Sequence, residues 1–329
     1  MAEGNPLADN LHPPFEMIIF APLSYLKYKP AYLVWYICNL FLLLIVPFML
    51  WTYIPNLHKW YPYLVIAIAT FFPVFVAAIQ GQDSILLLFL LTLCFTFLKD
   101  RKEFRAGMAL AMGMFKFVLV IPIAFSLVVE RRWRSLAGFA TGCILLLLAA
   151  TAIVGLSGIE AYFRLIAGFR KAPPERAGTE SIMPNLRGFV HAVSGGLANE
   201  SWLMAITLLA SVAILILINM HLLKPGNVSL RFSAQVVLAT LVSYHLYPHD
   251  ASILILPLVL LLNHSVCHGS RTRLGIAIWV AAAAMYLCPF FTELSVSMPI
   301  FFCASTVLLV TSTLLREPLK TAVEGAALS

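Results

Sequence analysis

Apolar runs of roughly 17–25 residues follow one another along this chain from Ala31 onward, each long enough to cross the hydrocarbon of a bilayer as a helix. Inside lipid every backbone N–H and C=O needs an internal partner, so such runs are read as helices and not as open strands. Candidate spans lie at 31–53, 62–79, 83–98, 106–129, 135–156, 202–223, 232–247, 251–267, 274–291 and 298–314. Composition agrees: 61% of the residues are hydrophobic and 11% charged, against roughly 25% charged in soluble domains. The longest polar connection, 157–201, is too short for a separate soluble domain. The net charge of +7 sits mainly in short loops between apolar runs, which is the pattern of membrane orientation and excludes nucleic acid as a partner.

Those basic loops create a conflict of sides. "KDRKEFR" (Lys99 to Arg105) and "ERRWR" (Glu130 to Arg134) flank a single apolar segment, 106–129. A plain span would put one of them outside, whereas the positive-inside rule wants both inside. Gly107, Gly113 and Lys116 interrupt this segment, and each half is about 10 residues, roughly 15 Å of helix. The expected fold is therefore all-α: a polytopic membrane helical bundle of about nine spans plus a re-entrant hairpin with Lys116 near its tip. A single span with Lys116 snorkelling or paired is the alternative. With the hairpin, the expected arrangement is an outer-face segment 1–30, an integral domain 31–320 with 157–201 as a long outer loop, and a cytoplasmic tail 321–329. The expected location is the cell (inner) membrane, with several passes and the C-terminus cytoplasmic.

Ionisable residues at membrane depth are costly and point to function. The apolar arms 83–98 and 232–247 are short, so their polar tips "QGQDS" and "YPHD" are expected below the outer surface beside Lys116. Lys116 is read as a phosphate clamp, with an ion pair to Asp83 as the structural alternative. Asp83 and Asp250 each precede an apolar helix, so capping of that helix competes with a chemical role. His245 and His249 stand four apart, but Pro248 interrupts the helix between them. Arg187, in "PNLRGF", suits bidentate contact with a phosphate or sugar acid, or a lipid headgroup. "HPPFEMIIFAPLSYL" (His12 to Leu26) reads as an interfacial helix, with Glu16 favourable at its start through the helix dipole.

The six cysteines are scattered with no C-x-x-C pair, so they read as buried apolar residues. His264, Cys267 and His268 lie close in sequence but lack a fourth ligand, and no metal site is assigned.

Taken in order, five stretches resemble glycosyltransferase family 87, membrane enzymes of the C-type fold that use polyprenyl-phosphate sugars. "HPPFEMIIFAPLSYL" resembles the family's Y-P-P or H-P-P approach to its second helix. "QGQDSILLLFLLTL" resembles its G-Q-x-[NS] helix start. The segment from Arg105 to Gly138 resembles its G-x-x-L-x-x-A-x-x-K-P stretch, with Phe117 where proline is frequent. "PNLRGFVHAV" and "SYHLYPHDASILILPL" resemble two later elements. The family carries its catalytic aspartate in the first outer loop, just after its first helix. The residues from Met1 onward resemble the family's sequence beyond that aspartate, and Asp9 does not match the motif. The expectation is a first helix encoded upstream, or a degenerate member.

The resemblance implies transfer of a hexose or pentose, mannosyl-like, from a polyprenyl-phosphate donor to an extracytoplasmic glycan or lipid acceptor. Such a transfer needs a carboxylate base and positive charge on the leaving phosphate. Asp83 and Asp250 are the candidate catalytic carboxylates. Lys116, Arg187, His245 and His249 are the candidates for the donor phosphate, with Gln80, Gln82 and Asn185 lining the cavity. A divalent cation is compatible with this chemistry, and nothing in the sequence demands one. The rival readings are a non-catalytic protein that binds polyprenyl lipid, and a transporter of lipid-linked solutes. An inverted repeat would favour the transporter, and the sequence offers none.

Overall fold

The structure, a computed structural model, describes residues 12–168, 183–194, 200–221, 226–268 and 273–291, and among them there are helices and turns but no strand. In chain order the helices are α1 (Tyr28–Leu50), α2 (Tyr61–Thr70), α3 (Phe72–Gln80), α4 (Ser84–Lys99), α5 (Glu103–Met112), α6 (Phe117–Val129), α7 (Trp133–Gly168), α8 (Leu186–Ser194), α9 (Glu200–His221), α10 (Val228–Val242), α11 (Ile255–His268) and α12 (Arg273–Phe291). Short helical turns at Pro14–Glu16, Met17–Phe20 and Ala21–Tyr25 precede α1, where the sequence suggested an interfacial helix.

The core is built around α4, α10 and the chain from Pro248 through α11, whose side chains are buried on nearly every face. In Pro248–Cys267, 78% of the most apolar window is buried; in Trp133–Ala167 only 11% is. Helices of the second kind expose apolar side chains all round, such as Ile144, Leu145, Leu148 and Leu156. That is stable only against lipid, where no hydrophobic cost attaches to exposure.

The segment Glu103–Val129 is long and apolar enough to cross a membrane as one helix. As a straight helix its ends would stand about 40 Å apart. Instead they meet. Arg132 Nη1 lies 2.5 Å from Glu103 Oε1, and Ser135 also hydrogen-bonds Glu103. The neighbouring pairs Phe104–Gly138, Gly107–Phe139 and Ala111–Gly142 advance together along α5 and α7, so these two helices run parallel. The chain between them must return: α5 goes in, a tight turn at Gly113–Lys116 reverses it, and α6 comes back. This is the re-entrant hairpin that the charge pattern required.

Small residues make the packing possible. A Cβ on Gly107 would run into the Ser135 carbonyl, and one on Gly138 into the Phe104 carbonyl. Gly138 and Gly142 form a small-xxx-small face against Gly107 and Ala111, which lets the two backbones approach. At the tip, Gly113 sits where any side chain would press on Leu87 and Val120.

The two basic turns are built alike and lie on one side. α4 and α6 each end with an arginine in the left-handed conformation, Arg101 (φ 60°) and Arg131 (φ 55°). Each is closed by a bond six residues wide: Lys102 N–H to the Phe97 carbonyl at 2.8 Å, and Arg132 N–H to the Leu127 carbonyl at 3.0 Å. Around them Glu130 accepts from Arg132 (2.6 Å), Arg231 (2.9 Å) and Gln235 (2.7 Å).

Several boundaries differ from the sequence reading. The expected span 62–79 is two helices, bent by 53° between Thr70 and Phe72. The expected helix 232–247 stops at Val242, because residues 243–247 are extended ahead of Pro248. The connection 157–201 is partly helical: α7 turns at Gly155 (φ 70°) and continues to Gly168, and α8 comes after it. Among the described residues five helical segments, the Glu103–Val129 hairpin one of them, are long and apolar enough by length and composition to cross a membrane, or six with the bent pair. Ser84–Lys99, Val228–Val242 and Ile278–Leu287 are shorter apolar helical stretches. The expected span 298–314 and the tail 321–329 lie outside the described residues.

Candidate active site

Helix α1 sets the position of the tip residues. Tyr32, Trp35 and Asn39 recur at helical spacing on one face of α1. Tyr32 Oη donates to the Ile79 carbonyl (2.5 Å), Trp35 Nε1 to the Gly81 carbonyl (2.8 Å) and Asn39 Nδ2 to the Gln82 carbonyl (3.4 Å). The first is one of the carbonyls that α3 leaves open at its C-terminus, and the other two belong to the turn that follows it. Gly81 (φ 66°) makes the left-handed turn, and Gln82 N–H closes it on the Ala77 carbonyl at 2.9 Å. The next residue, Asp83, begins α4 without capping it.

Asp83 turns instead to the hairpin. Lys116 Nζ lies 2.8 Å from Asp83 Oδ1 and 2.8 Å from Asp250 Oδ1. Both carboxylates are buried, and the lysine side chain is 11% exposed. Asp250 is held further by Ser84 Oγ, which donates at 3.0 Å, and by Tyr247 N–H, which donates to Oδ2 at 3.0 Å. Asp250 does not precede its helical turn, as the sequence suggested, but lies third within Pro248–Leu254, reaches back to the Tyr247 N–H that opens it, and pairs with Lys116 as well. His249 Nε2 is 3.6 Å from Asp250 and buried beside it.

On the other side of Asp83 stand two residues that the sequence reading did not place in the site. His12 Nδ1 is 2.5 Å from Glu16 Oε2 and 3.5 Å from Asp83 Oδ2. Glu16 is 4% exposed, far more enclosed than a dipole cap needs to be. Burial, with Asp83 beside it, pushes the Glu16 carboxyl up to about 7, although His12 acts in the opposite direction. The hydrogen bond to Glu16 raises His12 above the ordinary histidine range. The signal was present as His-x-x-x-Glu, a one-turn spacing that puts both side chains on one face of a helical turn. His12, Glu16, Phe20, Gln82 and Asp83 are among the residues that line a cavity of about 450 Å3.

Arg187, on α8, lies over the Tyr244 ring (4.3 Å) and donates to the Tyr244 carbonyl (3.4 Å). His245 is half-buried and packs edge-on against Tyr247 at 4.3 Å, while Tyr247 in turn lies 5.5 Å from His249. Asn185 is fully buried: it accepts from Gly188 N–H (3.0 Å) and donates to the Ser243 carbonyl (2.9 Å), so it fastens α8 to the 243–247 stretch. Gln82 lines the cavity; Gln80 is exposed and stands outside the lining. The structure therefore brings Asp83, Lys116, Asp250 and His249 together, with Arg187, His245 and Asn185 along the adjoining stretch.

Among the described residues, His12, Glu16 and Asp83 are the one group with ligand atoms close enough to share a cation, within 4.8 Å of one another. A divalent ion held here would have to part the His12–Glu16 hydrogen bond. Ligands about 2.1 Å from an octahedral ion stand about 3 Å apart, whereas His12 and Glu16 meet at hydrogen-bond distance, 2.5 Å. The ammonium of Lys116 already occupies Asp83, and a second cation there would be repelled.

The sequence profile of glycosyltransferase family 87 matches residues 10–248. The match includes His12, Glu16, Asp83, the whole hairpin and α8, and stops two residues short of Asp250. Comparison with curated proteins and with solved structures found no match.

Proposed function

This chain belongs to glycosyltransferase family 87, and from that premise we propose that it moves a hexose or pentose, mannosyl-like, from a polyprenyl-phosphate donor to a glycan or lipid acceptor on the outer face of the cell membrane. The observation that carries the reading is the meeting of Lys116, Asp83 and Asp250 at the hairpin tip, beside the 450 Å3 cavity. In the transfer a bond forms between the acceptor oxygen and the anomeric carbon. The bond from that carbon to the donor phosphate breaks, and its electron pair leaves with the polyprenyl phosphate. Positive charge near the departing phosphate lowers the barrier. Lys116 has one N–H left beyond its two carboxylates, and Arg187, His245 and His249 lie along the adjoining stretch. Asp83 and Asp250 fix the ammonium, and Asp83 also faces the sugar from the cavity wall. The basic turns on the opposite side support a cytoplasmic position for that end by the positive-inside rule.

The test uses membranes containing the full chain, a labelled polyprenyl-phosphate mannose and a glycan or lipid acceptor fraction. Label is expected in the acceptor, and Arg187→Ala is expected to raise the donor KM about tenfold or more. Folded protein that transfers from no polyprenyl-phosphate hexose or pentose would end the proposal. Accumulation of unmodified donor inside proteoliposomes would replace it with transport.

A further inference from the structure

We propose that the two basic turns together bind an anionic phospholipid whose headgroup carries two phosphates. The site lies at the end of the hairpin opposite the cavity and does not depend on the transfer reading. Glu103 and Glu130 close an inner network there with Arg132 and Arg231, and Lys102 is taken by Asp100. Five further cations stand outside that network. Lys99, Arg101 and Arg105 surround the first turn, Arg131 and Arg134 the second, and all five are exposed. Among the described residues none of these five side chains has an ion-pair or hydrogen-bond partner.

The fold sets these charges side by side. Arg132 in the second turn reaches Glu103 just after the first, and Gly138 packs on the Phe104 carbonyl. Membrane orientation asks only that basic loops share a side. It does not ask that they pack together, where like charges repel, and an anion between them removes that cost. The two turns are also alike, with the same closing bond and an arginine, Arg101 or Arg131, in the same left-handed place. A guanidinium fork matches a phosphate, so two like turns match two phosphates in one headgroup. The surroundings are those of a lipid and not of a soluble anion. Trp133 (65% exposed) and Phe104 (47% exposed) flank the cations, and such rings favour headgroup level. Further along α7, Ile144, Leu145 and Leu148 are exposed to acyl chains. Basic clefts between helices on this side of a membrane hold anionic headgroups. A lipid seated there ties together the two turns from which the hairpin, with Lys116 at its tip, projects.

The test titrates the full chain, in a neutral detergent, with diphosphatidylglycerol, phosphatidylglycerol or phosphatidylcholine of matched acyl chains. Bound lipid is read by native mass spectrometry and stability by melting temperature. Diphosphatidylglycerol is expected to bind about tenfold or more tighter than phosphatidylglycerol at equal phosphate, because its two phosphates are linked. It is also expected to raise the melting temperature, which phosphatidylcholine leaves unchanged. Added salt should weaken the binding. Arg101→Gln combined with Arg131→Gln should weaken it about 25-fold, at about fivefold for each cation. Equal binding of the two anionic lipids, or of the anionic and the zwitterionic lipid, overturns the inference. So does a folded double variant that binds diphosphatidylglycerol like wild type. The lipid comparison needs wild type alone, so it decides the matter even where the double variant fails to insert. Selective lipid binding by a protein that transfers no sugar supports this inference and ends the transfer reading; sugar transfer without the lipid preference does the reverse.

Discussion

The re-entrant hairpin has a polar cluster at each end, and the two are put together differently. At the basic end Glu103 and Glu130 face Arg132 and Arg231, two charges against two, with Ser135 and Gln235 completing the bonds. The helices there touch backbone to backbone through Gly107 and Gly138. At the tip a single ammonium, Lys116, faces Asp83 and Asp250, with Glu16, His12 and His249 crowded around them and a cavity alongside. A balanced and closely packed network fixes the position of helices and has nothing left to offer a ligand. A network with more carboxylates than cations, beside open volume, keeps hydrogen-bonding capacity for one. The hairpin holds the second cluster in place by means of the first.

Lys116→Met should produce the largest effect, because it strands two buried carboxylates. A loss of about 3–5 kcal/mol is expected, read as a lower melting temperature in detergent together with loss of transfer. Adding Asp83→Asn and Asp250→Asn should restore much of the melting temperature and none of the activity. Restored activity would show that the tip is a structural tie like the basic end.

Arg132→Met should cost less, about 1.5–3 kcal/mol, since Glu130 keeps Arg231 and Gln235. Activity per folded molecule should stay near wild type, which chemical denaturation and then the transfer assay can check. A changed donor KM would break the division of labour between the two ends.

Stability should fall as pH rises from about 4.5 to about 7, and the fall should come from the tip. Glu16 has a carboxyl raised to about 7 from 4.5, so across that window the folded chain holds a proton that the unfolded chain has lost. His12 adds to the trend, since its raised value gives stability below its unfolded value that is lost at higher pH. Melting curves of Glu16→Gln should show a shallower slope; an unchanged slope would assign the effect elsewhere.

Tyr32→Phe should be the mildest. It removes one bond to the Ile79 carbonyl and should cost about 0.5–1.5 kcal/mol. A larger drop in kcat than in melting temperature would show that the placement of Asp83 depends on that clamp.

Much of this was legible in the sequence, for reasons that lie in particular residues. The length of the apolar runs sets the helical class, because lipid leaves the backbone no other partner. The basic stretches at Lys99–Arg105 and Glu130–Arg134 require a reversal between them, because both seek the same side. The polar residues Asp83, Lys116 and Asp250 signal a shared environment, because each would be costly alone in lipid. Tertiary structure alone decided the rest. That Lys116 is shared between two carboxylates depends on where α4, the hairpin tip and the Pro248 turn converge, and side-chain distances across 134 residues, from Lys116 to Asp250, leave no trace in local spacing. Glu16 looks like a dipole cap in its own segment and becomes a buried carboxyl only when Asp83 and α7 close over it. Periodicity and charge depend on neighbours along the chain, and a proton affinity depends on neighbours in space.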